Sequence, residues 1–284
     1  MTLKDKIMQY LSEYDSIEKY LGNIVRQRLE IEGYTRGMLT ASLLDGESSK
    51  SDLKRLEGAL QLGKVLCADF QSIFQERKLP NKDIAIDVEI INILAEVKAF
   101  EILHEHSFRA ITKIKRKKDA KTVDFIAKKD MQDYAIEVTR LGLAQADRKK
   151  PVYMVRDKLP AHNIPGIRNL VGEFVILSGK DNMPRIRETI NDAIESKYRQ
   201  IKEFCQNQHS LTKGILFISS GRDYFVANRY ARNEFELSPK AVKEALKHEW
   251  ESIKQHNTYE NLHHIIVTIC KDLKKAIIYP SFEI

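Results

Sequence analysis

The chain has 284 residues, 43% of them hydrophobic and 31% charged, with only 12 glycines and 7 prolines; this excludes a disordered tract or fibrous repeat and is ample for a sizeable core. No run approaches the ~20 apolar residues of a membrane helix, and Met1-Thr2-Leu3-Lys4-Asp5-Lys6 lacks the apolar stretch of a signal peptide, so a cytoplasmic protein with no membrane partner is expected. The net charge is +7 and the basic residues cluster in part: seven lie between Arg109 and Lys121 against one acid, Asp119. Cys67, Cys205 and Cys270 have no CxxC spacing and no histidine at zinc-finger distance, which points to buried thiols rather than disulfides or structural zinc.

The first hundred residues carry almost no strand signal. Segments around Leu3 to Leu21, Ile24 to Leu44 and Leu53 to Arg77 repeat apolar residues at helical spacing, so residues 1–80 are expected to form an all-helical region. The Asp45 to Asp52 run interrupts it, with serine and aspartate suited to capping the next helix. From Asp83 the series Ile86, Ile90, Ile93, Val97, Phe100 and Leu103 predicts a long amphipathic helix ending near His104. The period then changes. Phe108 to Ile114, Thr122 to Ala127 and Tyr134 to Leu141 are rich in β-branched and aromatic residues and predict three consecutive antiparallel strands.

Leu143 to Gly172 contains three prolines and reads as an irregular insertion, followed by a strand over Glu173 to Leu177. Asn182-Met183-Pro184 opens a helix through Phe204, and Ile215 to Ser219 is a strand. Ser238-Pro239 starts a helix reaching about Gln255, and His264 to Ile269 with Ala276 to Tyr279 predicts a hairpin. From Asp83 the order is helix, three strands, insertion, helix and strand. A mixed sheet flanked by helices is therefore expected over residues 81–284, with the N-terminal helices and the C-terminal hairpin outside it. His263 and His264 are adjacent, so on a strand they face opposite ways; an edge-strand surface position suits them better than a metal site.

Two acids stand where strand propensity would not put them: Asp124 in Thr-Val-Asp-Phe-Ile-Ala and Glu137 in Tyr-Ala-Ile-Glu-Val-Thr-Arg. Carboxylates on adjacent strands repel unless a cation lies between them, and a divalent metal is the simplest such cation. Buried Lys or Arg partners are the structural alternative, for which an arginine near both acids would be the mark. Glu96 lies in the preceding helix, with Asn92 and Glu89 one and two turns earlier on the same face.

A helix bearing Glu, a strand bearing Asp, a strand bearing Glu-x-(Lys or similar), then helix and strand resembles the PD-(D/E)XK nuclease superfamily over Asp83 to Ser220. The resemblance implies an α/β restriction-endonuclease-like αβββαβ core. It implies a metal-dependent nuclease that hydrolyses phosphodiesters, DNA first, with Mg²⁺ as cofactor and Mn²⁺ as substitute. By position, Asp124 and Glu137, with the Val138 carbonyl, would hold the metal, and Glu96 would support it directly or through water. Where the family has Lys this chain has Thr139, so the ammonium must come from elsewhere. Lys197 in the following helix is the first candidate, with Gln200 on its face, ahead of Lys128; Arg140 should aim the other way.

The basic run is either a solvated hairpin tip or a phosphate-contacting loop, in which Lys113, Lys115, Arg116, Lys117 and Lys118 would track a nucleic-acid backbone. Arg148, Lys149 and Lys150 would extend that contact. Tyr224, Phe225 and Tyr230 near Arg222, Arg229 and Arg232 form a basic-aromatic segment that contacts bases or packs on its own domain. The alternative to catalysis is a nucleic-acid-binding protein that retains the fold without turnover, which the absent Lys at position 139 favours. The N-terminal helices suit either a homodimer contact or substrate selection.

Overall fold

Short apolar-periodic segments with polar breaks give, among the described residues before position 80, the helices α1 (Leu3–Leu11), α2 (Asp15–Leu29), α3 (Met38–Asp45), α4 (Lys50–Leu66) and α5 (Ser72–Gln75). The computed structural model describes residues 1–31, 38–67, 69–75, 83–114, 122–140, 183–208, 211–219, 224, 239–256, 259–268 and 276–282. A capping box starts α1: the Asp5 amide donates to the Thr2 hydroxyl, and the Thr2 amide to the Asp5 carboxylate. The start of α2 is held from a distance. There the amides of Ser16 and Ile17 donate to the Glu57 carboxylate of α4 at 2.9–3.0 Å, a charge-assisted cap that fastens two helices. The expected cap of α4 is not made: a 3₁₀ turn over Gly46–Ser49 runs into it, and Ser49 makes no side-chain cap bond.

Helix α6 (Asp83–Glu105) is where the sequence pattern misleads. Its periodic stripe predicts one buried face, yet Ile90, Ile91, Ile93, Leu94, Val97, Phe100, Ile102 and Leu103 are all buried. A helix apolar nearly all round belongs inside, and α6 is covered by the N-terminal helices on one side and the sheet on the other, in one continuous cluster. Phe70 ties these layers together, with its ring centroid 5.5 Å from Tyr20, 5.4 Å from Phe74 and 5.8 Å from Phe100. Gly63 of α4 leaves the space for it, since a Cβ there would overlap the Phe70 ring.

Six strands form one mixed sheet in chain order: β1 (Arg109–Lys113), β2 (Phe125–Lys129), β3 (Gln132–Arg140), β4 (Lys213–Ser219), β5 (Leu262–Thr268) and β6 (Ala276–Tyr279). The first three are antiparallel as expected; β3, β4 and β5 are parallel, and β6 returns antiparallel. Helices α7 (Met183–Gln206) and α8 (Pro239–His256) precede β4 and β5 and cover the other face. Burial on both faces explains the unbroken apolar run Ile215, Leu216, Phe217, Ile218, in which Ile215 and Phe217 face α6 while Leu216 and Ile218 face α7 and α8.

The C-terminal hairpin is not outside the sheet but continues it, because β5 pairs in parallel with β4. The two histidines accordingly lie on an interior strand and not at an edge: His264 Nδ1 is 2.9 Å from the Pro280 carbonyl and His263 Nδ1 is 3.0 Å from that of Asn261. Among the described residues no helix is long and apolar enough to cross a membrane. The boundary expected near residue 80 and the strand expected over Glu173 to Leu177 lie outside the described residues, as does most of the insertion.

Candidate active site

The β2–β3 hairpin determines where the two strand acids meet. Its tip is Asp130-Met131, both with positive φ (50° and 61°), a two-residue turn that pairs Lys129 with Gln132 and Phe125 with Ile136. Continuing that register by one residue sets Asp124 opposite Glu137. Asp124 is not mid-strand but stands immediately before β2, where its amide donates to the Ile136 carbonyl and its carbonyl accepts from the Ile114 amide. Its carboxylate is fixed from two sides. Oδ2 accepts the Val138 amide at 2.9 Å, and Oδ1 lies 3.0 Å from Lys113 Nζ. The Val138 amide belongs to the peptide that follows Glu137, so both strand acids are anchored on one peptide unit.

Glu137 has a different partner. Alternation along β3 turns it, with Ala135, toward the α7 layer, and there Lys197 Nζ meets Glu137 Oε1 at 2.7 Å. Gln200, one turn on, accepts from the same ammonium at 3.3 Å and donates to the Thr122 carbonyl at 3.4 Å. Lys197, the residue singled out from the sequence, therefore lies beside Glu137. Lys128 is elsewhere: its side chain is 62% exposed and pairs with Asp133.

Lys113 corrects the sequence reading. Expected on a phosphate-contacting loop, it is instead 3% exposed and joins Glu96 Oε2 at 2.7 Å to Asp124 Oδ1 at 3.0 Å, with its ammonium 5.0 Å from the Phe125 ring centre. Burial forces this. Lys113 follows Ile111 on the face packed under α6, and an ammonium there must find carboxylates. Glu96 therefore reaches Asp124 through a lysine rather than directly. The two strand acids pair with separate lysines, Asp124 with Lys113 and Glu137 with Lys197. Lys115, Arg116, Lys117, Lys118 and the 148–150 triplet lie outside the described residues.

The cluster opens into a cavity of about 300 Å³ at the end of β3. Glu89, Asn92, Ala95 and Glu96 of α6 form one wall, Val138, Thr139 and Arg140 of β3 another, and Lys197 of α7 a third. The α6 stripe noted from its spacing is therefore a cavity wall. Arg140, which pleating should aim away from the Glu137 face, lines the same cavity, a position sequence reasoning did not assign. Of the basic-aromatic segment only Tyr224 is described; it is completely buried and its hydroxyl donates to Glu101 Oε2 at 3.0 Å, so it packs on the protein's own α6.

The donor set suits Mg²⁺. That ion takes oxygen ligands and is commonly held by one or two carboxylates, with water and substrate phosphate completing its shell. Asp124 and Glu137, cross-strand neighbours beside a cavity, are such a pair, and each is now met by an ammonium, the charge a metal ion would contribute. Among the described residues no three His, Cys, Asp or Glu side chains form a ready-made ion cage, so Glu96 is not grouped with them as a third ligand. Compared with protein-family models, curated proteins and solved structures, the chain matches none, and its functional reading rests on this geometry.

Proposed function

We propose that the protein is a metal-dependent nuclease of the restriction-endonuclease-like type, hydrolysing phosphodiester bonds in nucleic acid, DNA first. One observation carries this reading: two buried acids on neighbouring strands, Asp124 and Glu137, lie behind a polar cavity at the end of β3 whose wall includes Lys197, paired with Glu137, and Glu96, linked to Asp124 through Lys113. Core packing gives no reason to gather buried acids and an accessible lysine there, whereas phosphoryl transfer needs both signs of charge at one point. The helix–three-strand–helix–strand order and the parallel β3–β4 pair agree with the resemblance.

In this reading Asp124 and Glu137 hold the ion, which when bound supplies Lewis acidity toward the phosphate and a lowered pKa for water. The Val138 amide keeps the Asp124 carboxylate in one rotamer, so the site is organised before substrate arrives. Lys197, a quarter exposed and held by Gln200, faces the cavity, where its ammonium stabilises negative charge gathering on the phosphate oxygens. Arg140 on the opposite wall offers a second cation to the incoming anion.

A second reading is a non-catalytic nucleic-acid-binding protein of the same fold, favoured by the lysine already paired with each strand acid. Plasmid, linear single-stranded DNA and RNA incubated with Mg²⁺, Mn²⁺ or EDTA separate the two, with Asp124→Asn and Glu137→Gln beside the wild type. Metal-dependent cutting lost in both variants is the expected result. Binding that persists in EDTA with no cutting under any condition would establish the second reading.

A further inference from the structure

Lys113 is the most deeply placed cation of the cluster, 3% exposed, and it occupies the space between two acids on different elements, Glu96 of α6 and Asp124 before β2. That is the position in which a second divalent ion would lie if Glu96 and Asp124 shared one. Its surroundings fix it there: the Phe125 ring centre lies 5.0 Å from the ammonium, and the side chain is 3% exposed. Charge accounting agrees. The carboxylates of Glu96, Asp124 and Glu137 and the ammoniums of Lys113 and Lys197 leave the cluster at −1, while Glu89 and Arg140 on the cavity wall cancel. One divalent ion brings it to +1, the complement of a phosphodiester; two would bring it to +3 in a site closed to solvent on the Lys113 side.

We propose that Lys113 is a resident cation standing in for a second metal ion, so that the site accepts a single divalent ion, at Asp124 and Glu137. The inference rests on the metal-site reading above. Lys113 is thereby a positioning residue: it holds Asp124 Oδ1 so that the acid's free orientation is lost before the ion arrives, and it keeps Glu96 from ligating.

The test is a count of bound Mn²⁺ on the full chain, by electron paramagnetic resonance and calorimetric titration, for wild type, Glu137→Gln and Lys113→Met. The expected wild-type count is one ion, with affinity reduced at least about tenfold in Glu137→Gln, and a count of two in Lys113→Met, where Glu96 and Asp124 are left without their ammonium. Two ions in the wild type overturn the inference and leave the metal site standing; none overturns the metal site and the inference with it. A folded Lys113→Met that still binds one ion also overturns it. Should Lys113→Met be unfolded without metal, recovery of its circular dichroism on adding Mn²⁺, but not on adding Na⁺ of equal ionic strength, is the expected result. Failure to refold at saturating Mn²⁺ overturns the inference.

Discussion

Two lysines pair with the neighbouring strand acids, Lys113 with Asp124 and Lys197 with Glu137, and differ in what surrounds them. Lys113 is sealed between α6 and the sheet with both partners 3% exposed, while Lys197 is 26% exposed and borders the cavity. Removing a partner from a sealed ion pair leaves a charge that nothing can solvate; removing one beside a cavity lets water take its place. The first contact belongs to the stability of the fold and the second, in the proposed reading, to what the fold can act on, although each sets an ammonium against a buried strand acid.

The largest expected effect follows directly. Lys113→Met should destabilise the metal-free protein by about 3–5 kcal/mol, as for other broken buried pairs, measured by urea denaturation. Lys197→Met should cost only about 1–2 kcal/mol, because the ammonium it removes borders the cavity and water can take its place. Equal losses in the two variants would break the comparison. On cleavage the order reverses: Lys197→Met should lower the single-turnover rate about 10²–10³-fold, with Lys197→Arg recovering part of it.

Asp124→Asn addresses both contacts at once, since it removes the charge facing Lys113 and keeps an oxygen for the Val138 amide. It should abolish metal-dependent cutting while costing less stability than Lys113→Met, because Glu96 still neutralises the lysine. Cutting retained above about one hundredth of the wild-type rate would remove Asp124 from the metal site.

Acid provides a smaller perturbation from outside the cluster. His106 and His263 titrate below the ordinary histidine value, desolvation being the main cause, with a nearby lysine (Lys129 and Lys213, respectively) acting in the same direction. The unfolded chain therefore takes up protons before the folded one does. Their contribution to stability is complete above about pH 6.5 and is lost as pH falls through their folded values. The melting temperature should fall between pH 7 and pH 5, and His263→Gln should flatten that slope; an unchanged slope would place the proton uptake elsewhere.

The smallest effect tests the hairpin that aligns Asp124 with Glu137. Met131 has φ of 61° and is completely exposed, so Met131→Gly relieves left-handed strain without losing a contact. A gain of about 0.5–1 kcal/mol is expected in the same denaturation assay, with the metal count unchanged. Destabilisation would mean that the turn's geometry is not what sets the register.

Much of the site was legible because it violates local rules. An acid inside a β-branched run is conspicuous at Asp124 and Glu137, and the Glu89, Asn92, Glu96 spacing marks one helix face whatever the helix packs against. Lys197 followed from the missing lysine at 139 and the position of the next helix. Lys113 was not legible: in sequence it is one of seven basic residues around a hairpin, and nothing local distinguishes the one that points inward. Arg140 was set aside because pleating should aim it away from Glu137, yet it lines the cavity together with Lys197.

By itself the sequence determined which segments are helix or strand and in what order, since backbone geometry imposes periods of 3.6 and 2 on any chain that must hide apolar side chains. It also determined the chemistry available, oxygen ligands and ammonium groups. Tertiary structure decided partners. The burial of α6 between the N-terminal helices and the sheet, the pairing of β5 with β4, and the enclosure of Lys113 between Glu96 and Asp124 depend on contacts between residues far apart in the chain. Those contacts are chosen by packing and by the high cost of leaving a buried charge without its counterpart, which no local pattern records.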